Sequence, residues 1–194
     1  MIAFVSGKFI TKLPSQVIVD VNGVGYELQI SLNTYSAISN SDGGKLYTYL
    51  HITENAHTLY GFSDLAEKDL FLQLISVSGV GASTARVMLS GLKPAEIINA
   101  IVQNNTKQLE SIKGIGKKTA ERIVLELKDK FGRQQTQLSG TSYLHDTPEA
   151  DALNALVALG IQKNNAEAAI KKVMTSENNK LTLENIIKRA LKNL

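Results

Sequence analysis

The sequence contains no cysteine and no tryptophan, only three prolines and three histidines, and aromatic residues make up 6% of it. Without cysteine, disulfides and thiolate metal sites are excluded, which fits an intracellular setting without requiring one. His51, His57 and His145 show no metal-ligand spacing, so no metal site is expected. No apolar run approaches the roughly 18–20 residues of a membrane span. Met1–Lys8 also lacks the basic stretch and apolar core of a secretory signal. A cytoplasmic protein is expected, with small cores built from Leu, Ile, Val and Ala.

Catalytic patterns are missing as well. No Gly-x-x-x-x-Gly-Lys-[Ser/Thr] loop is present, and Gly43-Gly44-Lys45 leads into strand-like sequence rather than a helix. Neither a carboxylate cluster at metal-binding spacing nor a nucleophile–base pair can be identified. No intrinsic enzymatic activity and no cofactor are expected.

What remains is a chain of 194 residues with 43% hydrophobic and 20% charged residues, the balance of a soluble globular protein. The net charge of +3 is unevenly placed. Residues 1–64 carry three Lys and five Asp or Glu, a net of −2, whereas residues 65–133 carry eleven Lys or Arg and seven Asp or Glu, a net of +4.

The basic segment contains a repeat. Val77-Ser-Gly-Val-Gly-Ala-Ser-Thr-Ala85 returns 35 residues later as Ile112-Lys-Gly-Ile-Gly-Lys-Lys-Thr-Ala120. In both copies a hydrophobic-x-Gly-hydrophobic-Gly phrase precedes a helical pattern. The glycines permit a tight turn with outward backbone N–H groups, and the helix N-terminus adds partial positive charge, a combination suited to phosphate. The candidate DNA contacts are therefore Gly79, Gly81, Ser83 and Arg86 in the first hairpin. In the second they are Lys113, Gly114, Gly116, Lys117, Lys118, Thr119 and Arg122. Arg86 is the only nearby cation of the first copy, so most electrostatic affinity is assigned to the second. Neither copy offers chemistry for base edges, so contacts should be independent of sequence.

Around this repeat the chain divides into four segments. Residues 1–63 read as five short strands (Ile2–Ile10, Gln16–Val21, Gly25–Ile30, Lys45–Ile52 and His57–Phe62), which favours an OB-type barrel. Asn22-Gly23 marks a hairpin, and Asn33–Ser39 a turn of helix. Residues 64–131 switch to a period of 3.6, giving an all-α tandem helix-hairpin-helix domain of five helices, the first capped by Ser63 or Asp64. Residues 132–147, polar and nonperiodic, read as a flexible linker. Residues 148–194 read as a three-helix, UBA-like module, with Gly160 ending the first helix, Asn164 or Asn165 capping the second and Thr182 the third. The whole is a multidomain α+β chain.

This order, with the phrases Asp20-Val-Asn-Gly-Val-Gly-Tyr-Glu27, Leu59-Tyr-Gly-Phe62, Gly79-Val-Gly81, Lys113-Gly-Ile-Gly-Lys-Lys-Thr-Ala-Glu-Arg122 and Ala155-Leu-Val-Ala-Leu-Gly160, resembles the RuvA family of bacterial Holliday-junction-binding proteins. The resemblance implies a homotetramer that holds an open, square-planar four-way junction, with a second tetramer closing the opposite face to make an octamer. It also implies a RuvB-type hexameric ATPase, which uses ATP and Mg, and a RuvC-type resolvase as partners in recombinational repair. An acidic pin between the last two barrel strands falls on Glu54 and Asn55, where two adjacent acids are usual. Ser83 stands where a basic residue is common. The apolar motor-binding face falls on Leu156, Leu159, Ile161 and Leu191, with Ile161 in place of a common aromatic. The residues alone leave these four open as either core or interface. They also leave open a structure-specific nuclease or glycosylase, or a generic duplex-binding module, built on the same hairpins.

Overall fold

The computed structural model describes residues 1–139, 148–176 and 181–193. The chain divides into two compact units, Met1–Gln134 and Gln135–Leu194.

In the first unit, β1 (Phe4–Leu13), β2 (Gln16–Val21), β3 (Val24–Ile30), β4 (Gly43–Ile52) and β5 (His57–Phe62) close into a barrel in the order β1-β2-β3-β5-β4. Strand β1 serves two neighbours. Its start pairs with β4, and from Lys8 to Leu13 it pairs with β2 across an irregularity between Phe9 and Thr11. That second partnership carries β1 to Leu13, three residues past the expected end at Ile10. Asn22 and Gly23 both have positive φ (51° and 88°), as a two-residue hairpin turn requires, and Asp20 accepts the Gly23 N–H at 2.7 Å. The barrel seam is the parallel pairing of β3 with β5, which holds at just Gln29 with Tyr60 and Ile30 with Gly61. Alternate residues such as Val17 and Val19, or Leu28 and Ile30, fill the interior. Ile38 joins them from α1 (Leu32–Ile38), the short helix between β3 and β4.

Five helices follow: α2 (Leu65–Ile75), α3 (Ala82–Gly91), α4 (Pro94–Val102), α5 (Thr106–Glu110) and α6 (Lys117–Ser139). Asp64 caps α2 by accepting the Glu67 N–H at 2.8 Å. Phe71 of α2 is fully buried, with its ring 5.1 Å from Tyr60, 4.9 Å from Phe62 and 5.6 Å from Tyr49. The outer face of β5 is thus covered by the helical core, and barrel and hairpin helices share one compact unit. Helix α6 continues to Ser139, eight residues beyond the expected end at Phe131. Once a helix is nucleated, each added residue costs little, and Arg133, Gln134, Gln135 and Gln137 are good helix formers that offset Gly132. The rest of the expected linker, 140–147, lies outside the described residues.

The second unit contains α7 (Pro148–Ala158), α8 (Lys163–Ser176) and α9 (Leu183–Lys192) around a core of its own. Helix α7 stops short of Gly160, as expected. Helix α8 starts at Lys163, so Asn164 and Asn165 lie in its first turn rather than at its cap; the Gln162 carbonyl receives the Asn165 and Ala166 N–H groups, each at 3.0 Å. Thr182 occupies the cap position of α9, but its hydroxyl makes no capping bond.

Candidate nucleic-acid interface

The two hairpins are built alike, bond for bond. In the first, Val77 N–H reaches Leu74 O at 3.1 Å, Val80 N–H reaches Val77 O at 3.0 Å, and Ala85 N–H reaches Gly81 O at 2.9 Å. In the second, Ile112 to Leu109, Ile115 to Ile112 and Ala120 to Gly116 measure 3.1, 3.0 and 3.0 Å. Val77, Val80, Ile112 and Ile115 are buried and anchor the turns in one core. Gly79 and Gly114 have φ of 91° and 94°, a conformation that side chains disfavour. Gly81 and Gly116 lack that constraint, and a Cβ at either would meet nothing within 4 Å. The space beside them is open on the outer surface, where a phosphate can approach the helix N–H groups.

The cations differ. Lys113, Lys117 and Lys118 are exposed and make no hydrogen bond or ion pair among the described residues. Thr119, half-buried, stands beside them at the start of α6. Arg122 crosses to the other hairpin, where its Nη1 donates to Ser78 O and Ser78 Oγ, both at 3.3 Å, while its Nε pairs with Glu126 at 3.2 Å. It therefore braces the two copies together. Arg86 points back to the barrel, its Nη1 donating to Ser15 O at 3.0 Å and Gln29 Oε1 at 2.7 Å. Nearby, burial pushes the Tyr60 hydroxyl up from its ordinary value, with Arg86 opposing part of that shift. Ser83 is exposed, and the first hairpin offers backbone and hydroxyl groups but no outward cation.

The β4–β5 turn is closed by Thr53 N–H to Ala56 O at 2.9 Å and by Ala56 N–H to Thr53 Oγ1 at 3.2 Å. This turn presents Glu54 and Asn55 exposed at its tip.

The model of the RuvA N terminal domain matches residues 1–61, that of the SAM-like helix-hairpin-helix tandem residues 71–129, and that of the RuvA C-terminal domain residues 147–194. The chain is 44% identical to the Holliday junction branch migration complex subunit RuvA of Cytophaga hutchinsonii, with 99% of each chain covered. It is 46% identical to the protein of that name from Amoebophilus asiaticus, over 99% of this chain and all of the relative. The Flavobacterium psychrophilum protein is 44% identical over the full length of both. The chain belongs to the RuvA family.

In this RuvA chain the four apolar residues expected at the motor face separate into two groups. Leu156 is fully buried among Ala152, Ala169 and Ile186, so it is a core residue and not part of an exposed face. Its position on the inner face of α7 decides this. Leu159 is 63% exposed and Leu191 44% exposed, while Ile161 is partly buried against the core. Val157, 44% exposed, extends the open surface.

Sequence reasoning missed the residues that fix the first hairpin to the barrel. The Asn33 side-chain amide donates to Leu89 O at 2.6 Å and Leu92 O at 3.1 Å, at the end of α3. Leu32 N–H donates to Ser90 Oγ at 3.1 Å. Glu67, 1% exposed, accepts hydrogen bonds from the Ser31 and Thr34 hydroxyls, and Thr34 Oγ1 in turn accepts the Ser63 N–H at 3.1 Å. Burial pushes the Glu67 carboxyl above the usual carboxylate range, with the two hydroxyl bonds opposing the shift. A signal for Glu67 existed, because it lies three, four and seven residues before Leu70, Phe71 and Leu74 on the apolar stripe of α2.

Proposed function

We propose that this chain is the DNA-binding subunit of a branch-migration complex. It binds four-way junctions independently of sequence, holds them open and square-planar, and recruits a RuvB-type hexameric ATPase. The observation that carries this reading is the pair of matched hairpins, with open space beside Gly81 and Gly116 and unpaired lysines on the second. The names of the RuvA relatives point the same way.

Four copies arranged around the crossover supply eight hairpins, and a second tetramer makes the octamer. The Glu54–Asn55 tip is the pin that parts strands, with one repelling charge instead of two. ATP and Mg serve the motor, and this chain's part is to bind the junction and recruit that motor. A RuvC-type resolvase is the further partner. Within the second unit the motor face consists of Leu159, Val157 and Leu191.

A gel-shift competition between a four-way junction and linear duplex, at two salt concentrations without nucleotide, tests the binding claim. Strong junction preference without cleavage products is expected; equal affinity reduces the protein to a generic duplex binder, and cleavage makes it a nuclease. For the motor claim, Leu159→Ser should leave junction binding intact and abolish stimulation of the ATPase. Unaltered stimulation removes Leu159 from the docking face.

A further inference from the structure

Strands β3 and β5 pair at two positions and then diverge, leaving Glu27 and Thr58 unpaired with each other. Helix α3 lies across this gap without filling it, because it places the short Ser83 there. The result is a groove of about 540 Å³ lined by Glu27, Gln29, His57, Thr58, Ser83 and Arg86, a volume within the range of small-ligand sites.

The lining includes residues next to two candidate DNA features. His57 comes directly after the turn that carries Glu54 and Asn55. Ser83 lies in the first turn of the helix that follows the first hairpin. OB barrels take up oligonucleotides beside strands β2 and β3 and the β1–β2 and β4–β5 loops. Here Ser15 belongs to the first of those loops and is held by Arg86 at 3.0 Å.

The chemistry of the walls favours a base over a phosphate. Arg86 spends Nη1 on Ser15 and Gln29, and its other guanidinium nitrogens carry no hydrogen bond among the described residues. Gln29 Nε2 donates to Glu27 Oε1 at 3.4 Å, so Glu27, Gln29 and Arg86 form a fixed row from acceptor to donor. The carboxylate of Glu27 faces the same groove as the guanidinium of Arg86, and their opposite charges give a phosphate little net attraction. A nucleobase edge presents donors and acceptors together and suits such a row. The imidazole of His57 supplies a stacking surface.

We propose that this groove receives an unpaired base from a strand parted at the crossover, its edge against Glu27 and Arg86 and its face against His57. The proposal rests on the junction reading and assigns a base contact to a surface that the hairpins, which recognise phosphate, do not provide.

The test uses the full chain and junctions with an unpaired crossover nucleotide, either cytidine or an abasic residue, compared by fluorescence anisotropy. The same comparison is made on short single strands. The wild type should prefer the cytidine-bearing DNA by about five- to tenfold, the scale of one base–side-chain stack. Glu27→Ala and His57→Ala, whose side chains are exposed, should each narrow that preference while leaving linear-duplex affinity unchanged. Equal affinity for cytidine and abasic DNA, or full preference in both variants, overturns the proposal. An equal loss on every DNA with a flatter salt dependence also overturns it, making the groove a phosphate site. If junctions are not preferred over duplex but the single-strand preference persists in the wild type and falls in the variants, the groove stands and the junction reading fails.

Discussion

In the first hairpin, Gly79 and Gly81 lead into Ala82, Ser83 and Thr84; in the second, Gly114 and Gly116 lead into Lys117, Lys118 and Thr119. The turn bonds agree to within 0.1 Å, yet the cation of the first copy faces the barrel while the lysines of the second face solvent. One backbone device has thus been put to two uses. In the proposed function the second copy supplies charge for affinity, and the first, fastened to the barrel by Arg86, Asn33 and Ser90, sets where the barrel stands relative to the DNA. A backbone can be duplicated for its shape while side chains divide strength from placement.

The largest effect is expected when one copy loses its charge. Lys117→Ala with Lys118→Ala should weaken junction binding by roughly one to two orders of magnitude and reduce the salt slope by about two. Anisotropy titrations across salt concentrations measure both, and an unaltered slope would exclude these lysines from phosphate contact. Next comes the shared backbone. Gly81→Ser and Gly116→Ser place a good capping residue where the protein has open space, so thermal midpoints should hold or rise while affinity falls on the order of tenfold in each. Loss of stability instead would mean that the glycines serve the fold.

Arg122→Ala removes the brace to Ser78, and a loss of about two- to fivefold in junction affinity is expected, smaller than for the lysine pair because the group is exposed and shared with Glu126. The smallest effect concerns the frame of the first hairpin. Since the Glu67 pKa is raised by burial, its contribution to stability is fully present below the unfolded value near 4.5. It declines as pH rises from there through the native pKa, because the unfolded chain ionises first. Glu67→Gln should flatten that decline in urea denaturation between pH 4 and 7, and an identical slope in both proteins would show that burial does not hold the proton.

Much of this was legible because the signals are local. Alternating residues and Asn22-Gly23 mark strands and their turn, and the repeated glycine phrase marks both hairpins within nine residues each. Destinations of long side chains were not legible. The acceptors of Arg86 lie 71 and 57 residues away, and no local pattern tells an arginine to turn inward. Leu156 and Leu159 look equivalent in sequence, but the first lies on the inner face of α7 and the second lies past its end. The extent of α6 was misjudged for a related reason. Polar residues such as Gln134 and Gln135 carry no periodic apolar signal, although they propagate a helix readily.

Helix α3 can also be viewed as a mechanical part. Midway along it is fastened through Arg86 to the β1–β2 turn and β3, and near its end through Asn33 and Ser90 to α1. A strut pinned at two points shares any load between its fastenings. On the proposed function, tension on a DNA arm held at the first hairpin would be passed through these fastenings to the barrel that carries Glu54 and Asn55.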